Sequence, residues 1–358
     1  MSYKVKLTCL HFSLAAMALL ICLTAFPQKP PQEPSPYNFD GLEQLFKQNQ
    51  KTIGANFTAM IWKDGKVIYQ KQGSQDFNAR TQVPIGNAGN WMTAALVMTF
   101  VDEGKLSLDD KVSKYIPIFS TYMKSYITIR NCLTNTTGIR AAEDEVTKVM
   151  LRGKYATLGE QVEAYASKRD IATNPGTEFF YSNMGCDIAA RVLEVITKKG
   201  FDRLMMERIL RPLKMHGTTF VNDEGGAIDP TGGARSTADD YLNFLVMLLN
   251  KGQFGDKRVL SEKAVEELEK VQFADLPVKY VPKSIPRESR YALGAWVLDA
   301  NAGQTGSMAC PDLLGVTPYF DKCRKYAAVL VVGKPAEEQK NIGLSMKAIV
   351  DEAIGACQ

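Results

Sequence analysis

The sequence is poor in histidine and has no run of basic residues. His11 and His216 are its two histidines, and His11 lies in an apolar N-terminal stretch. A histidine-rich metal site or a Ser-His-Asp triad therefore has almost nothing to be built from. The formal net charge is +4, without clusters of one sign, which gives no indication of nucleic-acid binding. We expect no metal or other cofactor and no nucleic-acid partner.

Cysteine is also sparse, and no two cysteines form a CxxC pair. Two of the seven lie in the N-terminal stretch, which leaves an odd number for the folded part. Cys310 and Cys323 bracket a short segment that ends in a predicted strand turn. We expect these two to form the disulfide, if export places the chain where disulfides form. The alternative is that they remain separate buried thiols.

The first 26 residues have the pattern of a signal peptide. Lys4 and Lys6 precede an apolar run at 7–23, and Ala25 or Phe26 could precede a cleavage site. A proline-rich linker follows at 27–37. We expect a periplasmic or secreted protein. Retention of the apolar run as a membrane tether is the alternative, because the run is nearly long enough to span a bilayer.

The rest of the chain, 38–355, alternates between strand and helix patterns. Two apolar runs flank Asp64-Gly65, a strong hairpin signal. The last third contains a further strand pattern at 291–298. Two more, at 314–320 and 326–332, alternate as a hairpin around 321–325, and an amphipathic helix follows at 342–354. Strands at both ends with helices between them predict an α/β fold with one mixed, antiparallel sheet built from both termini. The α/β part covers about 38–85 and 290–355, and an inserted helical lobe covers about 90–285.

One stretch organises the chain: 85–94 reads Ile-Gly-Asn-Ala-Gly-Asn-Trp-Met-Thr-Ala, a two-glycine turn that enters an apolar helix. It resembles the Ile-Gly-Ser-x-x-Lys-x-x-Thr-Ala motif of serine hydrolases of the class C β-lactamase and penicillin-binding protein type. In that family the serine attacks a carbonyl group and the lysine takes the serine proton. Asn87 stands at the serine position and Asn90 at the lysine position. No serine elsewhere has a lysine three residues after it.

Further motifs continue the resemblance in the family's order. Segment 127–138 is similar to the family's Ile-Thr-Ile-Arg-His-Leu-Leu-Thr-His-Thr-Ser-Gly, and 232–240 to its Gly-Gly-x-x-Ser-Thr-x-x-Asp. In the second of these, Ser236 is predicted to cap a helix that ends at Leu249. Tyr181-Ser182-Asn183 matches the family's Tyr-x-Asn, and 303–306, Gly-Gln-Thr-Gly, matches its Lys-Thr-Gly or His-Thr-Gly. The resemblance covers about 40–355 and implies a β-lactamase/transpeptidase-like fold.

The resemblance also implies roles for individual residues. Tyr181 would take part in proton transfer, and four residues would bind substrate: Asn183, Gln304, Thr305 and Gly306. Asn87 and Asn90 are degenerate catalytic positions, because an amide is neither a nucleophile nor a base near neutral pH. Asn87 has a second interpretation as a helix N-cap.

The replacements leave three functions open. The first is an exported pseudoenzyme that binds a peptide, cell-wall or ester-like ligand without cleaving it. The second is an active esterase or D-Ala-D-Ala-type peptidase with another nucleophile, for which Ser182, Thr93 and Ser307 are the candidates. The third is a structural role at the cell envelope.

Overall fold

The computed structural model describes most of the chain after the linker. The described residues are 35–140, 155–221, 225–272, 274–282, 285, 289–301, 304–311, 315–333 and 342–357, with the backbone alone at 300, 301, 304 and 305. The chain divides into two units, 1–36 and 37–358, and the first contains only two described residues. The predicted signal peptide thus lies outside the described residues. The predicted division of 38–355 into an α/β part and a helical part stays a prediction.

The largest sheet of the described residues has seven strands. Its strands are β1 Phe57–Lys63, β2 Lys66–Gln72, β10 Arg290–Tyr291, β11 Trp296–Asn301, β12 Gln304–Ala309, β13 Val316–Asp321 and β14 Tyr326–Val332. They lie in the order β10-β11-β12-β13-β14-β1-β2, with every neighbouring pair antiparallel. The first strand pairs with the last, so that Phe57 lies opposite Val332. This confirms the predicted sheet built from both termini.

Smaller sheets lie between β2 and β10 along the chain. Their strands are β3 Val83–Pro84, β4 Phe179–Phe180, β5 Thr219–Phe220, β6 Ala234–Ser236, β7 Gln253–Phe254, β8 Lys257–Arg258 and β9 Val278–Tyr280. β3 pairs with β6 and β6 with β5, β4 runs parallel to β9, and β7 pairs with β8.

Helices cover both faces of the large sheet and fill the insertion. The α-helices are α1 Asp40–Gln48, α2 Gln50–Ile53, α3 Gly89–Asp102, α4 Ile118–Thr121, α5 Ile129–Leu133, α6 Leu158–Lys168, α7 Met184–Thr197, α8 Phe201–Met205, α9 Ala238–Leu249, α10 Glu262–Glu269 and α11 Ile342–Ile354. Short 3₁₀ turns occur at Gly86–Ala88 and Val112–Lys114, and a π-helical turn at Met206–Leu210. Among the described residues, no helix is both long and apolar enough to cross a bilayer.

The sheet separates two hydrophobic cores because side chains alternate between its faces. On one face Met60, Met308 and Phe320 join the core around α3 and α9. On the other face Tyr319 and Leu330 join the core formed with α1 and α11. The fold is therefore helix, sheet, helix in layers.

The predicted hairpin is confirmed between β1 and β2. Its turn residues Asp64 and Gly65 both have positive φ, at 48° and 84°. That conformation matches the right-handed twist of the flanking strands, and aspartate and glycine are among the residues that tolerate it best. The predicted hairpin of the last third is confirmed as β13 and β14, and the predicted C-terminal helix as α11.

Two local predictions are wrong. The apolar run 291–298 forms two antiparallel strands, β10 and β11, since Gly294 at φ +79° reverses the chain between them. The helix after β6 is capped by Thr237, whose hydroxyl accepts from the backbone N–H of Asp240, and not by Ser236. Ser236 instead ends β6 with a fully buried side chain.

The disulfide prediction is also wrong. Cys323 pairs with Cys357, which follows α11, and Cys310 is a buried thiol outside any disulfide. Cys310 lies just after β12, whereas Cys323 lies in the turn after β13. The backbone N–H of Cys310 donates to Pro318 in the middle of β13, whereas Cys323 lies beyond the end of that strand. At about 3.3 Å per strand residue the two cysteines are too far apart for a disulfide.

Candidate active site

The first motif lies at the entry to α3, against the sheet. β3 runs into the 3₁₀ turn Gly86–Ala88, which contains Asn87 with a half-buried side chain. Ala88 occupies the N-cap position of α3, so the N-cap interpretation of Asn87 is wrong. Asn90 belongs to the first turn of α3 and is only 1% exposed. Asn87 thus lies in the turn that precedes the buried helix α3, and Asn90 lies in the first turn of that helix.

Close backbone contacts fix this entry. A Cβ atom at Gly89 would lie 2.2 Å from the carbonyl oxygen of Thr231, so no larger residue fits there without movement. The Tyr241 hydroxyl donates to the carbonyl of Ala88 at 2.7 Å. The Cys310 thiol donates to the carbonyl of Asn87 at 3.2 Å. The 3₁₀ turn is therefore fixed by two side chains, Tyr241 of α9 and Cys310, which follows β12.

The second motif reaches the first through a direct hydrogen bond. The Nδ2 group of Asn90 donates to the hydroxyl of Tyr181 at 3.0 Å, and the Oδ1 atom of Asn90 has no hydrogen-bond partner among the described residues. Tyr181 is 6% exposed and stacks on Trp296, with ring centroids 5.4 Å apart. Tyr291 packs edge-on against Tyr181 and against Trp296. The phenol is thus held in one orientation by aromatic packing and by an amide.

Asn135 fixes the backbone around Tyr181. Its Oδ1 accepts from the N–H of Ser182 at 2.9 Å, and its carbonyl accepts from the N–H of Phe180 at 3.0 Å. Asn135 itself has φ 58°, a left-handed conformation that asparagine tolerates better than most residues. Asn183 takes the N-cap position of α7 without a side-chain cap bond, and its side chain is half-buried. The Tyr-x-Asn segment is therefore presented by a rigid support.

Residues 304–306 of the third motif lie on β12. Gly303 and the side chains of Gln304 and Thr305 lie outside the described residues, so the roles predicted for them stay predictions. Gly306 is described, and a Cβ atom there would lie 2.3 Å from Oδ1 of Asp299. A glycine is therefore required where β12 passes the Asp299 carboxylate.

The alternative nucleophiles are placed unfavourably. Ser307 is fully buried and donates from its hydroxyl to Oδ2 of Asp299 at 2.8 Å. Its neighbour Met308 faces the core around α3, so Ser307 projects from the opposite face of the sheet. Thr93 is also fully buried, and its hydroxyl donates to the carbonyl of Pro230 at 2.5 Å. Ser182 alone of the three is half-buried.

Burial raises the pKa of several ionisable groups around the helices. Desolvation raises the pKa of the Cys132 and Cys186 thiols, so neither offers a thiolate near neutral pH. Asp187, one turn beyond Asn183, has its pKa raised well above 3.8 by burial and, secondarily, by Asp229. In the part of the chain that the structure describes, no three His, Cys, Asp or Glu side chains are grouped to hold a metal.

Sequence reasoning missed two contributors to the site. Trp296 packs on Tyr181, although it lies more than 100 positions later in the chain. Cys310 holds the Asn87 carbonyl, although the sequence suggested a disulfide for it. Only the order of strands across the sheet brings either residue to the helix entry, and no local pattern encodes that order.

A family model described as β-lactamase matches residues 39–338. Protein flp of Staphylococcus aureus strain MW2 is 31% identical over 174 residues, which make up 45% of this chain and 34% of flp. The chain thus matches about a third of that curated relative. An Escherichia coli K12 protein named "Putative D-alanyl-D-alanine carboxypeptidase" is 22% identical and matches 94% of this chain and 93% of its own.

A solved structure gives the same result for the fold. The crystal structure of a "putative beta-lactamase" from Bacteroides dorei DSM 17855 superposes with a TM-score of 0.78. It is 26% identical and matches 89% of this chain and 99% of its own. Because the family model covers more than half of the chain, the chain belongs to the β-lactamase family of serine hydrolases and penicillin-binding proteins.

Proposed function

We propose that this β-lactamase-family chain is a pseudoenzyme, which binds a polar peptide, cell-wall or ester-like ligand in the inherited cleft without cleaving it. The observation that carries the proposal is the pair Asn87 and Asn90 at the entry to α3. The second of these is buried, and its Nδ2 group donates to Tyr181. The serine and the lysine of the family's chemistry are thus both replaced by neutral amides.

The loss of chemistry follows from the residue types. An amide nitrogen is a poor nucleophile because its lone pair is delocalised, and an amide has no titration near neutral pH. Loss of a nucleophile together with its base costs on the order of 10⁶-fold in turnover in comparable enzymes. Tyr181 alone does not replace them, since a phenol with an ordinary pKa of about 10 needs a nearby cation to act as a base.

The placement of the alternative nucleophiles supports the same conclusion. Ser307 and Thr93 are fully buried and already hydrogen-bonded, one to a carboxylate and the other to a carbonyl. Activation of a serine requires an adjacent base and access to the substrate carbonyl. Ser182 is half-buried and lies in a turn, where its backbone N–H donates to Asn135.

We also propose that the protein is exported and acts in the periplasm or outside the cell. The basic start and apolar run of residues 1–26 support export. A membrane tether through the same run is the alternative. Periplasmic or surface location would place the cleft next to cell-wall peptides, which agrees with the ligand class proposed.

Intact-mass measurement tests the absence of chemistry. Purified protein is incubated separately with benzylpenicillin and with a fluorophosphonate probe, with an active penicillin-binding protein as the positive control. We expect no mass increase with either reagent. A stoichiometric adduct on any serine or threonine would refute the pseudoenzyme and favour an active esterase or peptidase, and peptide mapping would identify the nucleophile.

Binding is tested separately by calorimetry. The panel is muropeptides, acyl-D-Ala-D-Ala peptides and small esters, each of which presents a carbonyl group. We expect saturable binding of at least one class without product formation. Flat titrations with all three would leave only the structural role at the envelope.

A further inference from the structure

Asn90 carries a buried acceptor that nothing in the described part of the chain satisfies. The residue is 1% exposed, its Nδ2 donates to the Tyr181 hydroxyl at 3.0 Å, and its Oδ1 atom has no partner there. Buried amide oxygens in folded proteins are nearly always hydrogen-bonded, because an unsatisfied one retains its full cost of desolvation. This acceptor at the first turn of the central helix is therefore open to a donor that the described residues do not supply.

This acceptor lies at a position where the family has a cation. At the corresponding position a family member carries a lysine, a cation that can only donate. Asn90 presents the opposite group, an oxygen that can only accept. The third motif has lost its cation as well, since Gln304 stands where the family has lysine or histidine. The sequence thus lacks a positive charge at two of the family's motif positions.

We propose that the cleft selects ligands by a hydrogen-bond donor, an amide N–H or a protonated amine, placed against Oδ1 of Asn90, and discriminates against ligands that present a carboxylate there. This inference rests on the proposed binding function and names the chemistry of its ligand. Asn90 is then the residue that sets specificity, whereas Tyr181 positions it through the bond to Nδ2. A donor-bearing ligand supplies the hydrogen bond that Oδ1 does not obtain from the described residues.

Two probes that differ only in their terminal group test the preference for a hydrogen-bond donor at Oδ1 of Asn90. Acetyl-D-Ala-D-Ala has a terminal carboxylate, and its C-terminal primary amide differs only in offering N–H donors in place of a negative charge. Binding is followed by calorimetry and by tryptophan fluorescence, which reports on the site because Trp296 stacks on Tyr181. We expect the amide to bind about tenfold more tightly than the acid, the size of one well-placed hydrogen bond.

Two substitutions at Asn90 make the test specific. Asn90→Leu removes the acceptor, and we expect the preference for the amide to disappear. Asn90→Lys restores the donor and the charge, and we expect the acid to become the better ligand. Asn90→Leu keeps the test decisive if the buried lysine prevents folding.

The melting temperature distinguishes an unpaired acceptor in a binding site from a hydrogen-bonded amide in the core. Asn131 is the matched control, because it is also buried but its Oδ1 accepts from Thr128 and its Nδ2 donates to Thr136. We expect Asn90→Leu to lower the melting temperature by no more than Tyr181→Phe does, because each loses only the bond between Nδ2 and the phenol. Asn131→Leu loses bonds at both ends of its amide, and we expect it to lower the melting temperature by several degrees more.

The outcomes separate this inference from the proposed function. Equal or tighter binding of the acid by the wild type would overturn the inference but leave the binding function intact. The same result would follow if the Asn90 amide were turned end for end, with Nδ2 as the open group. Unchanged selectivity in Asn90→Leu would also overturn the inference, because the preference for the amide would then not depend on Oδ1 of Asn90. Binding of neither probe would overturn the inference and count against the binding function, whereas a covalent adduct would refute only the absence of chemistry.

Discussion

Asn90 and Tyr181 are hydrogen-bonded across 91 positions of sequence, from Nδ2 to the phenolic oxygen at 3.0 Å. The bond joins the first turn of α3 to the segment between β4 and α7. It connects two of the family's motifs without any ionisable base. The geometry of the active-site region is therefore maintained by an amide and an aromatic cluster, which can be tested residue by residue.

Tyr181→Phe is expected to destabilise the protein by about 0.5–1.5 kcal/mol, the usual contribution of a buried hydrogen bond. The ring and its stacking on Trp296 remain, but the partner of Nδ2 is lost. Urea denaturation measures the change. Tyr122→Phe is the control, because Tyr122 is 44% exposed and its substitution should be nearly neutral. Equal effects at both positions would contradict the role assigned to the Asn90–Tyr181 bond.

The double substitution Asn87→Ser with Asn90→Lys is expected to acquire a covalent adduct with penicillin or the fluorophosphonate probe. It rebuilds a serine and its base on a helix entry that is already held by Tyr241 and Cys310. Intact mass measures the adduct. Each single substitution should remain unmodified by penicillin, because one supplies no base and the other no nucleophile. Absence of an adduct in a folded double variant would show that the cleft itself has changed.

Cys357→Ser is expected to reduce the free energy of unfolding by about 2–4 kcal/mol, because it opens the loop that the bond to Cys323 closes. The sequence separation of the pair is 34 residues. Chemical denaturation without reductant measures the loss. Cys323→Ser should give a similar loss, and addition of reductant to the wild type should reproduce it. Stability of both variants equal to that of the wild type would mean that the disulfide does not form in solution.

Asp187→Asn is expected to stabilise the protein at neutral and alkaline pH. Burial raises the pKa of Asp187 in the folded state, so between its ordinary value of 3.8 and the raised value the folded state binds more protons than the unfolded state. Stability therefore falls as pH rises through that window. The carboxyl accepts from Gln161 and Tyr165, and the amide oxygen of the substituted side chain can accept the same bonds. We expect a gain of about 1 kcal/mol or more at pH 8 and none below pH of about 3.5.

Glu103→Gln serves as the control of opposite sign. Hydrogen bonding to Arg208 holds the pKa of Glu103 at about 2, below its ordinary value of 4.5. Its contribution is present above that ordinary value and is lost as pH falls toward 2. Thermal unfolding from pH of about 3 to about 9 compares the variants on both sides of these values. Parallel pH profiles for wild type and Asp187→Asn would refute the assignment of the pH dependence to Asp187.

The sequence predicted those parts of the fold that depend on local pattern. The Asp64-Gly65 turn, the hairpin of β13 and β14 and the helix α11 follow from turn chemistry and periodicity, and the structure contains them. The motif order also predicted that Asn90 and Tyr181 belong to one site. These features depend on neighbours in sequence or on a resemblance carried by several motifs.

Features set by long-range geometry were not predictable. The partner of Cys323 is decided by where α11 ends relative to the turn after β13, which no spacing reveals. The break between β10 and β11 is hidden because 291–298 is apolar throughout, and only the left-handed φ of Gly294 creates the turn. The lack of a described partner for Oδ1 of Asn90 is likewise a property of packing in three dimensions.

The pairing of β1 with β14 has a consequence for biosynthesis. The β1–β2 hairpin leaves the ribosome early, but the open edge of β1 has no strand to pair with until translation reaches Val332. During that interval its N–H and C=O groups remain available to other strands, a hazard for aggregation. The sheet can therefore close only after translation has passed β14. A nascent chain halted before Tyr326 would contain the entry to α3 without the strand that completes the sheet behind it.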